Sequence, residues 1–169
     1  RELEDEYYRE RTPDLSKVGL VFAKPGVHRE IRNLGIVNMY FTVPAGHSNY
    51  EVKSEVTFLK DVHVHSFEPH MHYRGKDMEY RVFYPDGTSE VLCYVPNYWF
   101  FRQLEYKLAE PKAIPKGSKI VVTAHFDNSA ANPINPNSKV DVPRGLMSRD
   151  EMMNGHATFT VDEEVMGTV

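Results

Sequence analysis

A single cysteine, Cys93, occurs in the 169 residues, so no disulfide can form within the chain and neither a CxxC redox pair nor a cysteine zinc site can be built. No apolar run approaches the roughly 18 residues a membrane-spanning helix needs, and the opening stretch Arg1-Glu2-Leu3-Glu4-Asp5-Glu6 is the reverse of a secretory leader. There is no block of Lys and Arg interleaved with aromatics. Twenty basic residues against twenty-four acidic ones give a formal charge of -4, which argues against a nucleic-acid partner. The hydrolase signature Gly-x-Ser-x-Gly is absent. No long stretch holds a convincing 3.6-residue period, so helix is expected to be minor. The first residue is Arg rather than Met, which suggests a processed chain or, as the favoured reading, a piece of a longer one.

What is present has a β character. Short runs rich in Val, Ile, Phe and Tyr follow one another at Val18 to Phe22, Gly35 to Val43, Tyr50 to Leu59, Val62 to Met71, Met78 to Tyr84, Glu90 to Val95, Tyr98 to Leu108, Lys119 to Phe126 and Ala157 to Val161. Turn chemistry separates them in Pro44-Ala45-Gly46, Pro85-Asp86-Gly87-Thr88 and Pro115-Lys116-Gly117, of which Pro85-Asp86-Gly87 is the strongest hairpin signal. An apolar share of 41% suits one domain with a sizeable core. These features predict an all-β, antiparallel jelly-roll-like sandwich of about eight or nine strands over residues 18–162, preceded by a charged arm or linker at 1–17 and followed by a short tail at 163–169. Asp127 to Arg149 is the longest irregular segment, and its asparagines offer side-chain oxygens to close local turns.

Five of the eight histidines lie in or beside these runs: His63, His65, His70, His72 and His125. On a strand, side chains at i and i+2 leave the same face, so His70 and His72 can bring two imidazoles to one point. Such a pair is either half of a metal site or a polar surface pair. Strand parity puts His63 and His65 on the opposite face unless Pro69 introduces a bulge. Hydrogen-bonded or edge roles are expected for that pair, and a satisfied core role for His125. Two imidazoles suit copper if a soft thioether joins them, and Met152, which follows the long Asn/Pro loop, is either that donor or a gap-filler in the core.

Pro69-His70-Met71-His72-Tyr73-Arg74-Gly75-Lys76, followed about eighty residues later by Asp150-Glu151-Met152, resembles the second domain of the copper type II, ascorbate-dependent monooxygenases, the family of peptidylglycine and dopamine hydroxylases. Val62-His63-Val64 and Pro44-Ala45-Gly46 extend the resemblance from about Leu15 to Val161. Tyr84-Pro85-Asp86-Gly87, Ala109-Glu110-Pro111 and Phe126-Asp127-Asn128-Ser129-Ala130-Ala131-Asn132-Pro133 are similar to bacterial multidomain versions. The resemblance implies one catalytic copper held by His70, His72 and Met152, O2 activation, and hydroxylation of a C–H bond. It also implies a periplasmic or extracellular location and an electron from another domain, another redox protein or ascorbate.

Two departures stand beside it. Family enzymes carry a first domain with a second copper, for which 169 residues leave no room, and Met153 occupies the position where animal members place a bracing Cys. The alternative implied is a non-catalytic structural or docking subunit of a larger assembly that keeps the fold and perhaps the copper. A cupin reading of His-x-His fails, because Lys76 and Asp77 fill the positions where a Glu is wanted and seven residues separate Gly117 from His125.

Overall fold

The computed structural model describes residues 15–22 and 29–163, and among them ten strands and no helix. Eight long strands form two antiparallel sheets. β1 (Arg32–Asn38), β4 (Val62–His70), β7 (Tyr106–Ile114) and β10 (Met153–Val161) lie in the order β1-β10-β4-β7. β3 (Tyr50–Thr57), β5 (Gly75–Phe83), β6 (Ser89–Val95) and β8 (Lys119–Phe126) lie in the order β3-β8-β5-β6. The two-residue strands β2 (Thr42–Val43) and β9 (Val142–Pro143) pair as a separate ribbon. Repeated crossing of the chain between the sheets makes the sandwich a jelly roll.

Period-2 burial explains why these runs become strands. β8 alternates without a fault, turning Ile120, Val122, Ala124 and Phe126 inward. They meet Val64, Phe67 and Met153 of the other sheet in one core, where the Phe67 and Tyr80 rings lie 4.5 Å apart. Gly46, Gly87 and Gly117 all take positive φ, as the three Pro-x-Gly turns require. In the β5–β6 hairpin, Asp86 Oδ1 accepts from both the N–H and the hydroxyl of Thr88.

Four expectations need correction. Val18 to Phe22 forms no strand: the segment is irregular, and Leu15, Val18, Leu20, Val21 and Phe22 are 74–99% exposed. Composition suited a strand, but no neighbouring strand supplies the ladder. Gly35 to Val43 divides into β1 and β2, because Asn38 Oδ1 captures the Tyr40 N–H at 2.8 Å and turns the chain. Tyr98 to Leu108 becomes strand only from Tyr106. The histidine parity is reversed, though by a bulge at His65 rather than Pro69: Val64 pairs with Phe159 and Ser66 with Thr158, leaving His65 as the extra residue. Inward positions thereby shift from Val62 and Val64 to Phe67 and Pro69, and His63, His65 and His70 all face outward. Most of the expected arm at 1–17 and tail at 163–169 lies outside the described residues.

Pro69 sits in β4 without breaking the sheet, for a topological reason. β7 pairs with β4 only from Val62 to Phe67, so at Pro69 β4 has β10 on one side alone and the missing N–H costs no ladder bond on the other. Residues 96–105 run beside this vacated edge.

Candidate metal centre

β4 delivers His70 as its last residue, and His72 follows one position beyond Met71, at the turn into β5. A double hydrogen bond fixes that turn. The Tyr98 hydroxyl donates to Met71 O at 2.6 Å and accepts from Met71 N–H at 3.0 Å, clamping the residue between the two histidines. Gly75 is required for this close fit, because a Cβ there would stand 2.5 Å from Met71 Cβ and 2.9 Å from the Tyr98 ring.

The imidazole rings meet edge to face, their centres 5.2 Å apart and their planes at 89°. His70 Nδ1 lies 2.6 Å from Gln103 Oε1, and His72 Nδ1 lies 3.2 Å from the carbonyl of Asp150. Both partners are acceptors, so in each neutral ring Nδ1 carries the proton and Nε2 keeps its lone pair. Burial lowers the His72 pKa, as does His70, against the raising effect of the Asp150 carbonyl. Burial thus favours the neutral ring, the state in which it ligates.

Met152 comes to the same end of the sandwich from the far end of the sequence. Its neighbour Glu151 is fully buried and accepts the backbone N–H of His72 at 2.9 Å through Oε2 and that of Arg74 at 2.7 Å through Oε1. Its successor but one, Asn154, stands opposite His70 in the β10–β4 register and donates to Met152 Sδ at 3.5 Å. Burial pushes the Glu151 carboxyl up to about 7, against the lowering effect of those N–H groups and of Arg74. Arg74, 2% exposed, donates from Nε to Asn128 Oδ1 at 2.8 Å and from Nη1 to Arg149 O at 2.8 Å. Asn128 in turn donates to the Pro44 and Val140 carbonyls. The long Asn/Pro segment is thus stitched by its own side chains, as its composition suggested.

These residue types suit copper chemically: two imidazoles oriented through their second nitrogens, and a methionine on the segment that Glu151 ties to the same turn. Two imidazoles sharing one ion at about 2 Å hold their centres about 5 Å apart, close to the spacing observed. Among the described residues no group of three or more His, Cys, Asp and Glu is placed to hold a metal, so any ion at His70 and His72 needs a donor of another kind.

His63, His65 and His125 have partners of their own, and His125, expected in the core, sits instead on the outward face of β8. His63 Nδ1 is 2.6 Å from Asp162, His65 Nε2 is 3.1 Å from the Thr160 hydroxyl, and His125 Nδ1 is 2.6 Å from Asp77. Tyr98, Phe100 and Gln103 are site residues that sequence reasoning missed, because their segment reads as strand. Phe100 sets its ring 5.9 Å from His72 and 4.7 Å from Tyr73. Pro96 and Asn97 ahead of them were the available signal for a loop.

No family model and no curated protein matches the chain. Among solved structures, VP2 of infectious bursal disease virus in its subviral particle aligns over 85% of this chain and 37% of its own, at 8% identity and a TM-score of 0.41. The structure of the Gx strain of that virus aligns with the same coverage and identity and a TM-score of 0.39. The chain therefore spans little more than a third of either protein. A likeness this distant says nothing about ligands or activity.

Proposed function

We propose that this protein binds one copper ion through His70, His72 and Met152 and acts as the O2-activating half of a copper-dependent monooxygenase. One observation carries the reading: both imidazoles have Nδ1 committed to an acceptor, which leaves two Nε2 lone pairs, and Glu151 ties the segment that carries Met152 to the same turn. The resemblance of the His70 and Met152 segments to the monooxygenase family supports it. Copper bound there would supply the redox chemistry that O2 activation and C–H hydroxylation need. The protein's own part is positioning. Gln103 and the Asp150 carbonyl orient the rings, Glu151 ties the Met152 segment to the histidine turn, and Phe100 and Tyr73 restrict water on one side. An electron would come from another domain, another redox protein or ascorbate, in a periplasmic or extracellular setting.

Copper content and Cu(I) affinity test the proposal. The parent is expected to take one equivalent, the double variant His70→Ala/His72→Ala none, and Met152→Ala one equivalent bound about tenfold or more weakly. The variant His63→Ala/His65→Ala should load normally. Absence of copper in the parent, or loading indifferent to all three ligand changes, would overturn it.

A further inference from the structure

The outer face of the β3-β8-β5-β6 sheet holds a depression of about 680 Å³, within the range of about 300–1,000 Å³ of small-molecule sites. Neither the histidine pair nor Met152 contributes to its lining. Three acidic side chains, Glu51, Asp77 and Glu79, face it together with three basic ones, Lys53, Arg81 and Lys119. They are paired within the sheet: Glu51 with Lys53 at 2.8 Å, Glu79 with Arg81 at 2.9 Å, and Lys119 with Glu55 at 3.0 Å. At one end Asp77 holds His125 by its Nδ1, and His125 Nε2 lies 3.8 Å from Glu51.

Balanced charge offers no net field to draw a polyanion or a polycation. It offers instead a fixed lattice of donors and acceptors, since an ion pair occupies only part of the five N–H groups of a guanidinium or the lone pairs of a carboxylate. Two aromatic rings complete the lining: Tyr94, 53% exposed, and Phe83, 41% exposed. Tyr94 pairs with Glu79 across β5 and β6, and Phe83 lies four residues farther along β5, or about 13 Å at the rise of a strand. Hydrogen-bonding groups of both kinds between two partly exposed rings suit a ligand that is itself polar at its edges and apolar on its faces.

We infer that this trough binds a neutral oligosaccharide, its hydroxyls bonded by the Glu79–Arg81 and Glu51–Lys53 pairs and its C–H faces laid on Tyr94 and Phe83. The spacing of the rings calls for a chain of several sugar units rather than one. This site is independent of the copper reading and stands or falls without it.

Calorimetric titration of the full chain with three uncharged probes, maltohexaose, cellohexaose and hexa-N-acetylchitohexaose, tests the inference. At least one should bind at micromolar to millimolar concentration. Tyr94→Ala should weaken that binding about tenfold, Tyr94→Trp should restore it, and Tyr40→Ala, a change at a tyrosine 93% exposed elsewhere, should leave it unchanged. An unaltered melting curve would show that the Tyr94 variants are folded. Failure of all three probes at millimolar concentration, or binding indifferent to Tyr94→Ala, would overturn the inference.

Discussion

Glu151 does more than fill its site. One carboxylate satisfies the backbone N–H groups of His72 and Arg74 and lies 3.9 Å from the Arg74 guanidinium, all out of contact with water. Glu151→Ala would leave both buried N–H groups without their acceptor and remove the larger of the two acidic influences, Glu151 and Asp150, that favour the Arg74 charge, and denaturant unfolding should show a loss of about 3–5 kcal/mol. Gln103 makes a different prediction. It is exposed and touches His70, the proposed ligand, rather than the core, so Gln103→Ala should leave the unfolding midpoint unchanged and, on the copper proposal, weaken copper binding about 10–100-fold. Cys93 is a third case. Burial pushes its thiol up to about 11, so alkylation followed by mass spectrometry should be slow at neutral pH and accelerate only in strongly alkaline buffer. The thiol is raised in the fold, so the stability linked to it is intact below the unfolded thiol's value of 9.0 and is lost as pH climbs toward 11.

At the scale of elements, the turns and interior strands were the legible part. Lys119 to Phe126 was read with its true ends because its alternation is uninterrupted and both its neighbours are strands. The Pro-x-Gly turns were legible because positive φ demands Gly. Gly87→Ala, made where a Cβ meets nothing, should cost about 1–2 kcal/mol through backbone strain alone. Gly75→Ala should cost more and also disturb the histidine turn, which NMR of the two imidazoles would report. The failures had different causes. Residues 98–105 carry the aromatic, β-prone composition of a strand, yet Tyr98 is spent on Met71 and Gln103 on His70, contacts across some thirty residues of sequence that no local pattern encodes. The bulge at His65 was equally invisible, since an extra residue leaves no compositional mark when the residues on both sides suit a strand. His70, His72 and Met152 were brought forward by motif and resemblance. The Glu151 bridge that ties the Met152 segment to the histidine turn was not legible, because its partners are backbone groups and therefore silent in sequence.

For the whole molecule, jelly-roll topology makes nearly every strand pairing a long-range one. Refolding of the chain should therefore be slow for its size, on the millisecond-to-second scale in stopped-flow fluorescence of Trp99. No helix of the described residues is long and apolar enough to cross a membrane. β10 lies between β1 and β4, so two of the four strands in its sheet meet only through it. A ribosome delivers that strand after the other seven long ones. Until it arrives, β1 and β4 have no common neighbour, and Met152, the residue directly before it, has no β10–β4 pairing to fix it at the end of β4. Any choice among metals that depends on the sulfur of Met152 would thus be made by the finished fold, after synthesis has passed this strand, and not by the emerging peptide.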